Sequence, residues 1–163
     1  MFVREKVRKK ENLLHAVERI YKEKGFTDAI IRKLLQPKIG YSFGIYEGAL
    51  KSDDLLSIKD RLPPEQFQER QNSSPTLADF MEVAEKEPRA FFMTYIVPKK
   101  RVDERVTVEG VCMPQERKDM IDLLKKKALH PPDKEGLWGE VQRHVYRYGG
   151  FQVPDDYYCM WWD

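Results

Sequence analysis

The sequence predicts an α+β protein, in which an N-terminal three-helix region precedes a small antiparallel sheet of about four to five strands packed with one or two helices. Three observations predict it. In the first half, apolar residues recur at helical spacing. After residue 89 the period shortens to two, in runs rich in aromatic and β-branched residues. Between the two, the Pro-Pro pair at 63–64 and Asn-Ser-Ser-Pro at 72–75 interrupt both patterns. The chain then divides into a helical region (1–56), a linker (57–75) and an α+β region (76–163), one compact domain overall being the alternative.

The first helix is predicted over 3–24. Val3, Val7, Leu14, Val17 and Tyr21 form its apolar stripe, and Gly25 ends it. Thr27 or Asp28 caps a second helix through about Leu35, stopped by Pro37. Ser42 is the expected cap of a third, over 42–51, although Gly44 and Gly48 weaken it by roughly 1 kcal/mol each relative to Ala. Thr76 starts another helix, with Asp79 in the capping-box position and Pro88 closing it. Residues 90–97 read as a buried strand and 106–111 as a second, with a bulge near Gly110. A helix follows over 116–128. Gly149-Gly150 suits a two-residue hairpin, and 157–162 forms the last strand.

Composition narrows the function classes. The 163 residues carry 29 Lys+Arg against 27 Asp+Glu, with 34% charged and 12% aromatic residues. No apolar run approaches the roughly 18 residues of a membrane span, so no membrane is expected as a partner. Cys112 and Cys159 form neither a disulfide framework nor a CxxC pair, and are expected as buried thiols in a cytoplasmic protein. Charge is uneven along the chain: residues 1–51 carry 12 Lys+Arg against 6 Asp+Glu, and residues 52–88 carry 4 against 9. A basic first third beside an acidic second third makes nucleic acid worth considering.

One stretch carries a resemblance. The segment AVERIYKEKGF (16–26), the aliphatic-Arg-aliphatic set Ile31, Arg32 and Leu34, then Gly40, Ser42 and Gly44, Ile45-Tyr46 and Asp53-Asp54-Leu55-Leu56 fall in a recognisable order. Residues 13–56 thus resemble the DNA-binding head of TetR-type repressors. Pro37, Ala49 and Ser52 depart from that pattern, and the strands expected over 90–163 replace the family's helical ligand-binding half. The resemblance implies a helix-turn-helix attached to another kind of domain, with residues 42–51 entering the major groove of double-stranded DNA. Lys33, Lys38 and Lys51 would contact phosphates, with Arg32 beside them, while Tyr41, Ser42 and Tyr46 would lie nearest to bases or backbone.

Chemistry elsewhere is sparse. The tail is densely aromatic, and Tyr146, Tyr148, Tyr158 and Trp162 are candidate partner-binding residues, in a homodimer above all. A strand that seals the core is the alternative. Cys112, His130, His144 and Cys159 are zinc-ligand types without zinc-ligand spacing, so no metal is assigned. Glu109, His144 and Asp155-Asp156 are acid/base types that no spacing pairs. No GxSxG, GxxxxGK[ST], GxGxxG or HExxH occurs, so no catalytic residue and no cofactor is assigned. The expectation is a non-catalytic nucleic-acid-binding or transcription-regulating protein. A protein-interaction or assembly module using the aromatic tail, and a small-molecule-binding or enzymatic α+β domain, are the alternatives.

Overall fold

The computed structural model describes residues 25–34, 38–142 and 153–163. The helix expected over 3–24 and the Gly149-Gly150 hairpin lie outside the described residues. Within them the chain is α+β: α1 (Phe26–Leu34), β1 (Gly40–Ser42), β2 (Ile45–Lys51), α2 (Ser52–Leu56), 3-10 turns at Lys59–Arg61 and Pro64–Gln68, α3 (Leu77–Lys86), β3 (Phe91–Val97), β4 (Arg105–Met113), α4 (Lys118–Lys127), β5 (Lys134–Leu137), α5 (Trp138–Val141) and β6 (Tyr158–Trp161). The six strands form one antiparallel sheet in the order β1-β2-β3-β4-β6-β5.

The helix expected over 42–51 is instead a β-hairpin, which withdraws the three-helix region and its recognition helix. Phe43 and Gly44 form a two-residue turn at φ 50° and 84°, with Tyr41 opposite Tyr46 and Ser42 opposite Ile45. Positive φ at both positions marks the turn whose twist matches antiparallel strands. β2 then finds six partners along β3, from Tyr46–Ile96 to Lys51–Phe91. Ile45 and Tyr46 favour a pleated strand, and the two glycines that weaken a helix are tolerated here for local reasons. At Gly48 a Cβ would lie 2.2 Å from the Lys38 carbonyl oxygen, so only glycine lets the segment entering β1 cross the strand.

Burial on both faces of the sheet explains why 91–97 reads as continuously apolar. Alternate residues point to opposite faces. On one face Leu50, Phe92, Ile96, Val106, Val111 and Met160 meet Ile30 and Leu34 of α1, Leu77 and Phe80 of α3, and Leu124 of α4. On the other, Ala49, Met93, Cys112 and Cys159 meet Trp138 and Val141 of α5, with Val153. The β3–β4 register slips between Met93 and Thr94, where Met93 faces Gly110 and Thr94 faces Val108; this is the bulge expected near Gly110. α3 begins as its sequence predicts: Thr76 caps it and Asp79 returns the hydrogen bond.

Residues 57–75 are packed against the domain. Ile58 and Leu62 belong to the larger core, and the Gln66 carboxamide oxygen accepts from the Val106 N–H at 3.0 Å, closing the part of β4 that β6 does not reach. Glu87 closes the end of α3. Only 1% of its side chain is exposed, and it is gripped by Arg89 at 2.9 and 3.0 Å and by Arg117 at 2.9 Å. Ser52 at the start of α2 donates its hydroxyl to the Glu87 carbonyl.

The register of β4 and β6 overturns the expectation of two free thiols. Cys112 faces Cys159, their Cα atoms 4.1 Å apart, and the two form a disulfide across 47 residues of chain. Two predictions follow from these contacts. In denaturant without reductant the protein should titrate no thiol, and reduction should lower stability by up to about 4 kcal/mol on the chain-entropy argument; two reactive thiols in unreduced protein would contradict this. The second concerns acid. Arg89, and after it Arg117, hold the Glu87 carboxyl below its ordinary range despite its burial. A carboxyl depressed in the folded state stabilises above its unfolded pKa of about 4.3 and loses that contribution as pH falls further. Urea midpoints measured downward from neutral pH should fall in this window, and less steeply in Glu87→Gln; identical slopes would refute the assignment.

Candidate functional site

An open groove lies where α1, the β1–β2 hairpin and the loop from 98 to 104 converge. Its keystone is a buried carboxylate. The first N–H groups of a helix have no partner within it, and a negative charge there is favoured. Glu104, 4% exposed, fills that position at α1 from 77 residues away along the chain. Its oxygens accept from the Gly25 N–H at 3.0 and 2.8 Å, from the Thr27 N–H at 3.1 Å and from the Thr27 hydroxyl at 2.6 Å. The loop is thereby fastened to the start of α1. A second, exposed tie joins Lys99 to Asp28 at 2.6 Å.

Between these walls lies an open groove of about 450 Å³. Ile31 and Pro98 supply apolar surface, Tyr41 and Tyr46 the aromatic wall, and Arg32, Lys99, Lys100 and Arg101 the charge, against the single carboxylate of Asp28. The tyrosine rings meet edge-on, their centroids 4.9 Å apart and their planes at 60°, and Tyr41 is 64% exposed. Arg101 is hydrogen-bonded to Asp103 at 3.1 and 3.2 Å. Arg32 and Lys100 make no ion pair among the described residues. Phe43, in the turn beside the groove, is fully exposed.

The residues singled out from the sequence divide around this groove. Arg32, Tyr41 and Tyr46 come together in it, Arg32 from α1 and the two tyrosines from a hairpin rather than a recognition helix. Lys33 is tied to the Ser57 carbonyl at 3.0 Å and Lys38 to Asp54, both on the side of α2. Lys51 ends β2 at the far side from the hairpin turn, over the Phe91 ring. Ser42 pairs with Ile45 at the turn. Sequence reasoning missed Lys99, Lys100 and Arg101. Their signal, a PKKR run between two strands, was legible as charge but not as a neighbour of the hairpin.

The tail offers less than its composition suggests. Trp162 is fully buried, edge-on to Phe80, and its indole N–H donates to the His130 carbonyl at 3.0 Å. It has no surface for a partner, because a large aromatic at the end of a central strand is most stable filling the core. Tyr158 is half-buried, its hydroxyl on Glu135 and its ring beneath Lys125 at 5.8 Å, so it locks α4 to β5. Tyr146 and Tyr148 lie outside the described residues. Among the described residues no group of three or more His, Cys, Asp or Glu is placed to hold a metal ion, and no helix is long and apolar enough to cross a membrane.

No family model, no curated protein and no solved structure matches the chain. The case for a function therefore rests on the groove itself. If Glu104 fastens its two walls, Glu104→Ala should lower stability by about 1–3 kcal/mol, the scale for a charge-assisted bond whose loss strands buried donors. Urea unfolding measures this; a variant as stable as the parent would show that the tie is unimportant.

Proposed function

We propose that this protein is a non-catalytic nucleic-acid-binding protein that holds the phosphate backbone in the groove between α1 and the 98–101 loop. The observation that carries the reading is the meeting of four cations with two tyrosines in one open groove. Cations supply most of the affinity for a phosphate chain, and aromatic faces beside them give bases somewhere to rest. The side chains come from a helix, a hairpin and a loop, held in place by a buried carboxylate, so they need little ordering when a ligand arrives. A docking of residues 42–51 into the major groove is not part of this reading, because those residues are strands. Nor does the homodimer through the aromatic tail gain support, since the described part of that tail packs into the core or against Lys125 and Glu135.

The test is fluorescence anisotropy with labelled single-stranded and duplex oligonucleotides, at about 50 mM and then about 200 mM salt. Neutralising two to four phosphates gives a log–log salt slope between about −1.5 and −3.5. Arg32→Glu/Lys100→Glu should weaken binding at least tenfold. Both side chains are exposed and without ion pairs among the described residues, so the fold should survive. Absence of binding at low salt, or binding that the double change leaves intact, would overturn the proposal.

A further inference from the structure

We propose that the hairpin tip is a stacking anchor for unpaired bases, so that the groove selects single-stranded over duplex nucleic acid; this rests on the nucleic-acid reading above and specifies its substrate class. Phe43 carries the inference. It is the first central residue of the turn at φ 50°, a conformation that an aromatic side chain adopts at a cost and that Asn or Gly adopts readily. Its ring is fully exposed, so packing does not repay that cost. A residue that is both strained and bare is explained by something outside the fold that the ring meets.

The surroundings say what that something is. Two positions back in the chain, Tyr41 also shows most of its surface, set edge-on to Tyr46. The cations stand on the other walls, at Arg32 of α1 and Lys99, Lys100 and Arg101 of the loop. A strand whose phosphates follow those cations turns its bases toward the hairpin. In a duplex the base faces are occupied by their stacked neighbours, whereas a single strand offers them freely. The size agrees: about 450 Å³ is the scale of a small-ligand site, not of a whole duplex. Stacking on an aromatic ring tolerates any base, so the selection is for unpairedness and not for sequence.

Phe43→Asn is the discriminating variant. Asn suits the turn, so its melting temperature should equal or exceed that of the parent. Anisotropy of the full chain with oligo(dT) of about 12 nucleotides, within the usual site size, should show tighter binding than to a duplex of equal length. Phe43→Asn should weaken oligo(dT) binding about tenfold or more, with a smaller loss on duplex, which narrows the preference. Equal affinity of the parent for the two forms, or an Asn variant that holds oligo(dT) as tightly as the parent, would overturn the inference and leave the backbone groove standing. Failure of every oligonucleotide to bind at low salt would overturn the groove itself. Phosphatidylserine-containing vesicles serve as the control for a membrane-directed aromatic tip. Vesicle binding lost in Phe43→Asn, with no binding of oligo(dT), would overturn both.

Discussion

The Glu104 carboxylate at the open start of α1 is the constraint on which the groove depends. A helix of nine residues is marginal alone, and its first N–H groups need acceptors. Glu104 supplies them from the end of the β3–β4 connection and so brings that connection beside the helix. The loop's three cations then face Arg32 across a groove instead of trailing into solvent. The opposite wall is set by Gly48, which lets the segment entering β1 cross over β2 and places Tyr41 and Tyr46 level with α1. Two local rules, one for helix termini and one for close backbone approach, therefore set the positions of the residues that carry charge and aromatic surface.

Much of the architecture was legible in the sequence. α3 follows from Thr76, Asp79 and its apolar stripe, and its capping box is present. β3 and β4 follow from β-branched and aromatic runs, and the slip near Gly110 from a break in the alternation. The hairpin is hidden in the sequence because Ser42 fits a helix cap and the resemblance of 13–56 implies a recognition helix over 42–51. What decides for the strand is remote: the six partners that β3 offers, and the Lys38 backbone that would clash with any side chain at 48. The disulfide was illegible for the same reason. Cys112 and Cys159 are brought face to face only by the pairing of two strands far apart in the chain.

In the candidate site, residues that the sequence groups for one reason share a surface for another. The resemblance places Arg32, Tyr41 and Tyr46 in a helix-turn-helix, yet they line one groove because a hairpin turns beside α1. Lys33, Lys38 and Lys51, which the same resemblance implies as phosphate contacts, are each held at another place, by Ser57, by Asp54 and over Phe91. Charge in a sequence counts cations; only the fold decides which of them share a surface. The aromatic tail carries the converse lesson, for in Trp162 a conspicuous side chain turned out to be core.

The most direct measurement is photocrosslinking of the native chain to a single-stranded oligonucleotide, followed by mass mapping of the adducts. Adducts concentrated on Tyr41, Phe43 and Tyr46, with protection of Lys99 and Lys100 from acetylation in the complex, are the result expected if the groove and its hairpin hold the ligand. Adducts confined to the C-terminal aromatics, with those lysines still reactive, would contradict it.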